Sequence, residues 1–209
     1  MNLPNKNRAS LLAMLAAVAI SSHYFCSEPA PGPGSDGTPA KTQLSEEEII
    51  NKGKYYVTMS GCNDCHTPKV MTPAGPELDT TRILSGHPAG SPMIPITYDA
   101  TKPGNWMLAA PDLTSWVGPW GISFTANLTP DPVTGLGSWT PEVFIKTLRT
   151  GKHLGQPGGR QILPPMPWQM FAQLTDEDLT MIFTYLQTIP AIKNQVPAPV
   201  PPNEVMKKK

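Results

Sequence analysis

Cys62-Asn63-Asp64-Cys65-His66 is the stretch of this 209-residue chain with the most chemistry in it. Its two thiols are spaced to be captured as thioethers by both vinyl groups of one haem, and His66 directly after them can bind the iron from the same side. Two other readings compete. A thiol-redox pair on a thioredoxin-like fold needs a strand before it and a helix after it. Here a helical pattern precedes the pair and Thr67-Pro68 follows. A zinc site needs two further Cys or His ligands at suitable spacing, and His87 and His153 each stand isolated in the sequence. The balance favours covalent haem c. One CxxCH and no internal repeat set the count at one.

The sixth position on the iron needs a ligand from elsewhere. Pro164-Pro165-Met166-Pro167-Trp168 is the leading candidate. Prolines on both sides hold Met166 on a rigid, extended loop with few amide donors to satisfy. Met93, in Ser91-Pro92-Met93-Ile94-Pro95, is the rival, and His87 or His153 would give a bis-His haem. Met166 also has a plain alternative as adaptable core filler.

Three helices must position these groups. Ser45-Glu46-Glu47-Glu48 reads as a capping box, its acids suited to the positive end of a helix dipole. Ile49, Ile50, Gly53, Tyr56 and Val57 continue it as a stripe that runs into the CxxCH turn. Gly53 lowers helix propensity and lets another helix approach closely. The expected partner is the last helix, capped by Thr175 and carrying Leu179, Ile182, Phe183 and Leu186 on one face before Pro190 stops it. A third helix opens at Thr140-Pro141, buries Phe144 and Leu148, and stops at Gly151.

Composition bounds the rest. Lys+Arg and Asp+Glu number 16 each, which excludes the basic footprint of a general nucleic-acid binder. Hydrophobic residues make up 39% of the chain, which excludes a wholly disordered one. Proline, 26 residues, is roughly 12% against a typical ~5%, so long helices and a large regular sheet are not expected. Lys6 and Arg8 precede a short apolar run over residues 11–20 and then Ser21 and Ser22, the pattern of a secretory signal over residues 1–26. Two readings of Cys26 stand: a lipidated first residue that anchors the protein, or a lone thiol left by cleavage after Ser21 or Ser22. The bulky His23-Tyr24-Phe25 counts against the anchor. Residues 27–44 form a Pro/Gly-rich linker. Residues 193–209 read as a Pro-rich tail ending in three lysines.

In combination these features resemble a class I cytochrome c domain. Asn127-Leu128-Thr129-Pro130-Asp131, Thr134-Gly135-Leu136-Gly137-Ser138-Trp139-Thr140, Leu148-Arg149-Thr150-Gly151 and Leu174-Thr175-Asp176-Glu177-Asp178-Leu179 are similar to the cytochrome domains of membrane-bound bacterial dehydrogenases. The resemblance covers residues 45–192. It implies a mainly α fold of about three core helices around one haem, with His66 and Met166 as axial ligands and electron transfer as the role. Two departures stand out. Those subunits carry several haem domains and this chain has one, and residues 70–120 form a Pro/Gly/Trp-rich loop insertion that a minimal cytochrome c lacks. Trp106, Trp116 and Trp120 shield a haem edge, form a docking face or simply pack onto the domain, the last expected for at least two. The leading expectation is an exported, periplasmic one-electron carrier serving a dehydrogenase or respiratory complex, and not an enzyme itself. The alternatives are a haem enzyme or gas-binding sensor with an open sixth site, and a structural tether.

Overall fold

In the computed structural model, capping begins the fold as the sequence dictates. The structure describes residues 43–96 and 98–205; the expected signal sequence with Cys26, the expected linker up to residue 42 and the three terminal lysines lie outside them. Helix α1 (Glu46–Met59) starts at a reciprocal box, Glu48 N donating to Ser45 Oγ at 3.3 Å and Ser45 N to Glu48 Oε2 at 2.8 Å. It ends at Ser60, and Gly61 in the left-handed region (φ 67°) turns the chain into the short helix α2 (Cys62–His66). Helix α3 (Pro141–Thr150) is capped by Thr140 and closed by Gly151. After the single turn α4 (Trp168–Phe171), α5 (Asp176–Thr188) opens on a second box between Thr175 and Asp178.

Helices α1 and α5 pack in direct contact, and Gly53 is the reason. A Cβ at this position would lie 2.0 Å from the carbonyl oxygen of Met181. Tyr56 Oη donates to Asp178 Oδ1 at 2.7 Å and ties α1 to the first turn of α5. Below this crossing Val57, Leu84, Leu136, Phe144, Leu148, Leu179, Ile182, Phe183 and Leu186 form the main core. Phe144 and Phe183 join α3 to α5 with ring centroids 5.4 Å apart. The apolar faces expected for α3 and α5 are the buried ones.

The segment expected as a loop insertion instead carries two small antiparallel sheets. Strands β1 (Lys69–Thr72) and β2 (Gly75–Leu78) form a hairpin with Lys69 opposite Leu78 and Thr72 opposite Gly75. Strands β3 (Leu108–Ala109), β4 (Ser115–Gly118) and β5 (Gly121–Phe124) form the second sheet in sequence order. Two- to four-residue strands punctuated by Pro and Gly leave almost no periodic signal, so the alternation is invisible at sequence level. Residues 193–205 are likewise no free tail. Ile122 and Val200 exchange backbone hydrogen bonds (2.8 and 3.0 Å), and Val200 and Val205, in the last turn α6 (Pro202–Val205), bury against Ala100, Val117 and Ile122. Buried Asn194 clamps this return: its Nδ2 donates to the carbonyls of Ser85 (2.7 Å) and His87 (2.9 Å), and its Oδ1 accepts from Ala89 N (2.8 Å). Among the described residues no helix is long and apolar enough to cross a membrane.

Asp178 makes the helix crossing pH-dependent. The Thr175 hydroxyl, then Tyr56 Oη, hold its carboxyl below the ordinary 3.8. The folded state thus binds this proton less readily than the unfolded chain. The stabilisation is complete above 3.8 and is lost as pH falls through the depressed folded value. Urea midpoints measured from about pH 5 down to about pH 2 should fall across that window, and fall less steeply in Asp178→Asn.

Candidate haem-binding site

The turn after α1 aims three groups from α2. Cys62 and Cys65 are both free, one helical turn apart, and Cys62 packs against the main core. Burial, opposed by a backbone hydrogen bond, pushes the Cys62 thiol up to about 11, and burial also raises Cys65. Such thiols stay protonated at neutral pH, the opposite of the low-pKa thiolate that a redox CxxC needs. Among the described residues no group of three or more His, Cys, Asp or Glu comes together as a metal cluster. His66 is half-buried, and its Nδ1 lies 2.8 Å from the carbonyl oxygen of Ala126. A carbonyl can only accept, so Nδ1 carries the proton and Nε2 keeps the lone pair that a metal takes. Burial, against the pull of Ala126, shifts the imidazole to lower pKa and favours that neutral form.

The chain beyond α2 is pinned so that this orientation holds. Thr67 is fully buried, its Oγ1 donating to Asn63 Oδ1 (3.0 Å) and accepting from Leu84 N (2.9 Å). Gly86 N donates to the His66 carbonyl at 2.7 Å. Gly86 has φ 76° and passes so close to residues 125–126 that a Cβ would sit 2.5 Å from the Thr125 carbonyl. Lys69 Nζ covers the Asp64 carbonyl and donates to that of Asp112 at 2.9 Å.

Met166 is half-buried, packs against the same main core as Cys62, and lines a cavity of about 380 Å³ together with Pro164, Pro165, Pro167 and Trp168. Its loop is held from two sides. Ser123 Oγ, on β5, donates to the Pro164 carbonyl at 2.6 Å while accepting from Trp120 Nε1 at 3.1 Å. Trp168 lies over Gly151, where a Cβ would meet its ring at 2.5 Å. A free thiol pair, a tautomer-fixed imidazole and a restrained thioether loop on the same core are the donor set that a covalently attached haem requires, and the residues present fit it.

No protein-family model matches the chain. Among curated proteins it is 36% identical over 171 residues to the fructose dehydrogenase cytochrome subunit of Gluconobacter japonicus, covering 79% of this chain and 27% of that one. It is 33% identical over 141 residues to the gluconate 2-dehydrogenase cytochrome c subunit of Pantoea cypripedii (68% and 23%). It is 28% identical over 146 residues to the alcohol dehydrogenase (quinone) cytochrome c subunit of Gluconobacter oxydans (70% and 22%). The chain is homologous to cytochrome c subunits of bacterial dehydrogenases. The resemblance read from its motifs is thereby borne out. The chain spans about a quarter of the length of these relatives.

The other ligand candidates of this cytochrome c homologue sit apart from that donor set. Met93 is exposed and lines a different cavity with His87. His87 is buried, hydrogen-bonded through Nδ1 to Thr114 Oγ1 (2.8 Å) and tilted on Phe124 with centroids 4.8 Å apart. His153 is exposed and meets Trp139 edge-on at 5.8 Å. Two of the three tryptophans of the 70–120 segment pack, Trp116 donating to the Leu113 carbonyl (2.9 Å) and Trp120 to Ser123, whereas Trp106 is 81% exposed.

Sequence reasoning missed the Ala126 carbonyl, because a backbone acceptor has no residue-type signature. The nearest signal was Asn127-Leu128-Thr129-Pro130-Asp131. Asn127 Oδ1 accepts from Thr129 N and Oγ1, its Nδ2 donates to the Ile192 carbonyl (2.8 Å), and Leu128 N donates to the Leu84 carbonyl (2.9 Å). The motif fixes the strand of chain that presents Ala126. Ser123 was also missed, as a lone serine between apolar neighbours carries no spacing cue.

Proposed function

We propose that residues 45–192, with residues 193–205 packed back on them, form a monohaem cytochrome c domain that passes single electrons and is not an enzyme in its own right. Cys62 and Cys65 hold haem c covalently, and His66 and Met166 are its axial ligands. Bound haem supplies a one-electron iron couple, whose potential a thioether ligand raises relative to bis-His ligation. The chain's own residues do the rest. Ala126 fixes the His66 tautomer, the Pro-flanked loop presents Met166, and the main core excludes water. Its redox partner is a dehydrogenase or respiratory complex, as the names of the homologues suggest. Residues 1–26 direct export to the periplasm, with Cys26 as a candidate lipid anchor and residues 27–44 as the tether.

The observation that carries this reading is the hydrogen bond from His66 Nδ1 to Ala126 directly behind a free Cys62/Cys65 pair. Reductive titration of the purified holoprotein tests it. The expected result is one reversible one-electron step and a reduced form inert to carbon monoxide. Rapid carbon monoxide binding by the wild type would put the enzyme or sensor reading ahead.

A further inference from the structure

His87 is not absorbed by the proposed electron-transfer role, yet its surroundings are ordered like those of a metal ligand. It is 8% exposed and lies in the wall of a cavity of about 250 Å³. Thr114 Oγ1 donates to Asp112 Oδ2 at 2.7 Å, so its single proton is already spent. Towards His87 Nδ1, 2.8 Å away, that hydroxyl can only accept. Nδ1 is therefore protonated, and the lone pair sits on Nε2, which takes no hydrogen bond from any described residue. A carboxylate–hydroxyl–imidazole chain of this kind is how outer partners orient a ligating histidine.

Two thioethers share the cavity wall with this imidazole: Met71 from β1 and Met93 from the following segment. Three rotatable bonds let each methionine sulfur adjust to an ion without moving backbone. Two cations stand near: Lys69, in the wall, directs its ammonium to the carbonyls of Asp64 and Asp112, and Arg82 donates to Asn194 Oδ1 at 3.3 Å. Asp112, also in the wall, spends Oδ1 on Thr114 N (3.1 Å) and Oδ2 on Thr114 Oγ1. The hydroxyls of Ser91 and Ser115 also line the cavity but are hard oxygen donors; the soft donors are two thioethers and one neutral imidazole. That set is soft and uncharged, and it selects a monovalent soft ion over zinc or a hard cation.

We propose that this cavity is a cuprous-ion site, with Met71 Sδ, Met93 Sδ and His87 Nε2 as its ligands and the Asp112–Thr114 pair as the orienting chain. The site is distinct from the haem donor set, which belongs to the main core, whereas this cavity borders the second cluster through Phe124 and Val200.

The test is anaerobic titration of the fully reduced, ferrous holoprotein with Cu(I) against a chromophoric cuprous chelator, in a Cys26→Ser background that removes the competing thiol. One equivalent is expected, with the haem spectrum unchanged. Met71→Leu combined with Met93→Leu, near-isosteric changes at exposed positions, should abolish that binding. Thr114→Val should weaken it by about 10–100-fold, as loss of an outer-shell partner does. Absence of binding, retention of binding in the double methionine variant, or a copper-induced change in the haem spectrum would each overturn the site. So would equal competition by Zn(II).

Discussion

Gly53→Ala is expected to destabilise the domain by about 2 kcal/mol or more, net of the ~1 kcal/mol that alanine gains in helix propensity. The added methyl would lie 2.0 Å from the Met181 carbonyl oxygen, 2.7 Å from its carbonyl carbon and 2.8 Å from Tyr185 Cβ. Two of those three atoms are helix backbone, so no side-chain rotation relieves the overlap. Relief requires α1 and α5 to separate, which strains the Tyr56–Asp178 bond and opens the core around Val57 and Leu179. A cost of this size is a large part of the roughly 5–15 kcal/mol that holds a domain folded. Gly158→Ala is the control, since a Cβ there meets nothing within 4 Å. Its urea midpoint should match wild type within about 0.5 kcal/mol. An unchanged midpoint for Gly53→Ala would refute the close helix contact.

Met166→Ala should have the largest effect on function. If Met166 ligates the iron, ferric wild type shows the weak far-red absorption band of a thioether-ligated low-spin haem. The variant should lose that band, gain carbon monoxide binding when reduced, and shift to lower potential as the weak sulfur ligand is lost. Met93→Ala should leave all three properties alone, because Met93 lies in the wall of the other cavity. Survival of the band in Met166→Ala would assign the sixth position to another residue. Stability should change less than for a fully buried core methionine, because Met166 is only half-buried at the edge of the main core.

The parts of this fold that were legible in the sequence are those decided locally. Helix starts at Ser45, Thr140 and Thr175 follow from a side-chain oxygen meeting an amide two or three residues on, and the structure has all three. The α1–α5 contact was legible because a glycine inside an amphipathic stripe signals close approach. What was hidden is held by non-local bonds. The strands of residues 70–120 exist through pairing with neighbours, and Asn194 and Val200 acquire meaning only once the chain has returned to Ser85 and Ile122. The same division runs through the site. Cys62, Cys65 and His66 are named by spacing, whereas Ala126, which decides the His66 tautomer, is 60 residues away and contributes only its backbone.

Intact-mass spectrometry of the purified protein, after denaturation and acid-acetone extraction, tests the central claim most directly. Thioether bonds to Cys62 and Cys65 survive both treatments, so the chain is expected to exceed its polypeptide mass by one haem, and Cys62→Ala/Cys65→Ala to show no such excess. A chain that sheds its haem on extraction, carries Cys62 and Cys65 as a disulfide, or retains zinc in place of haem would contradict the account.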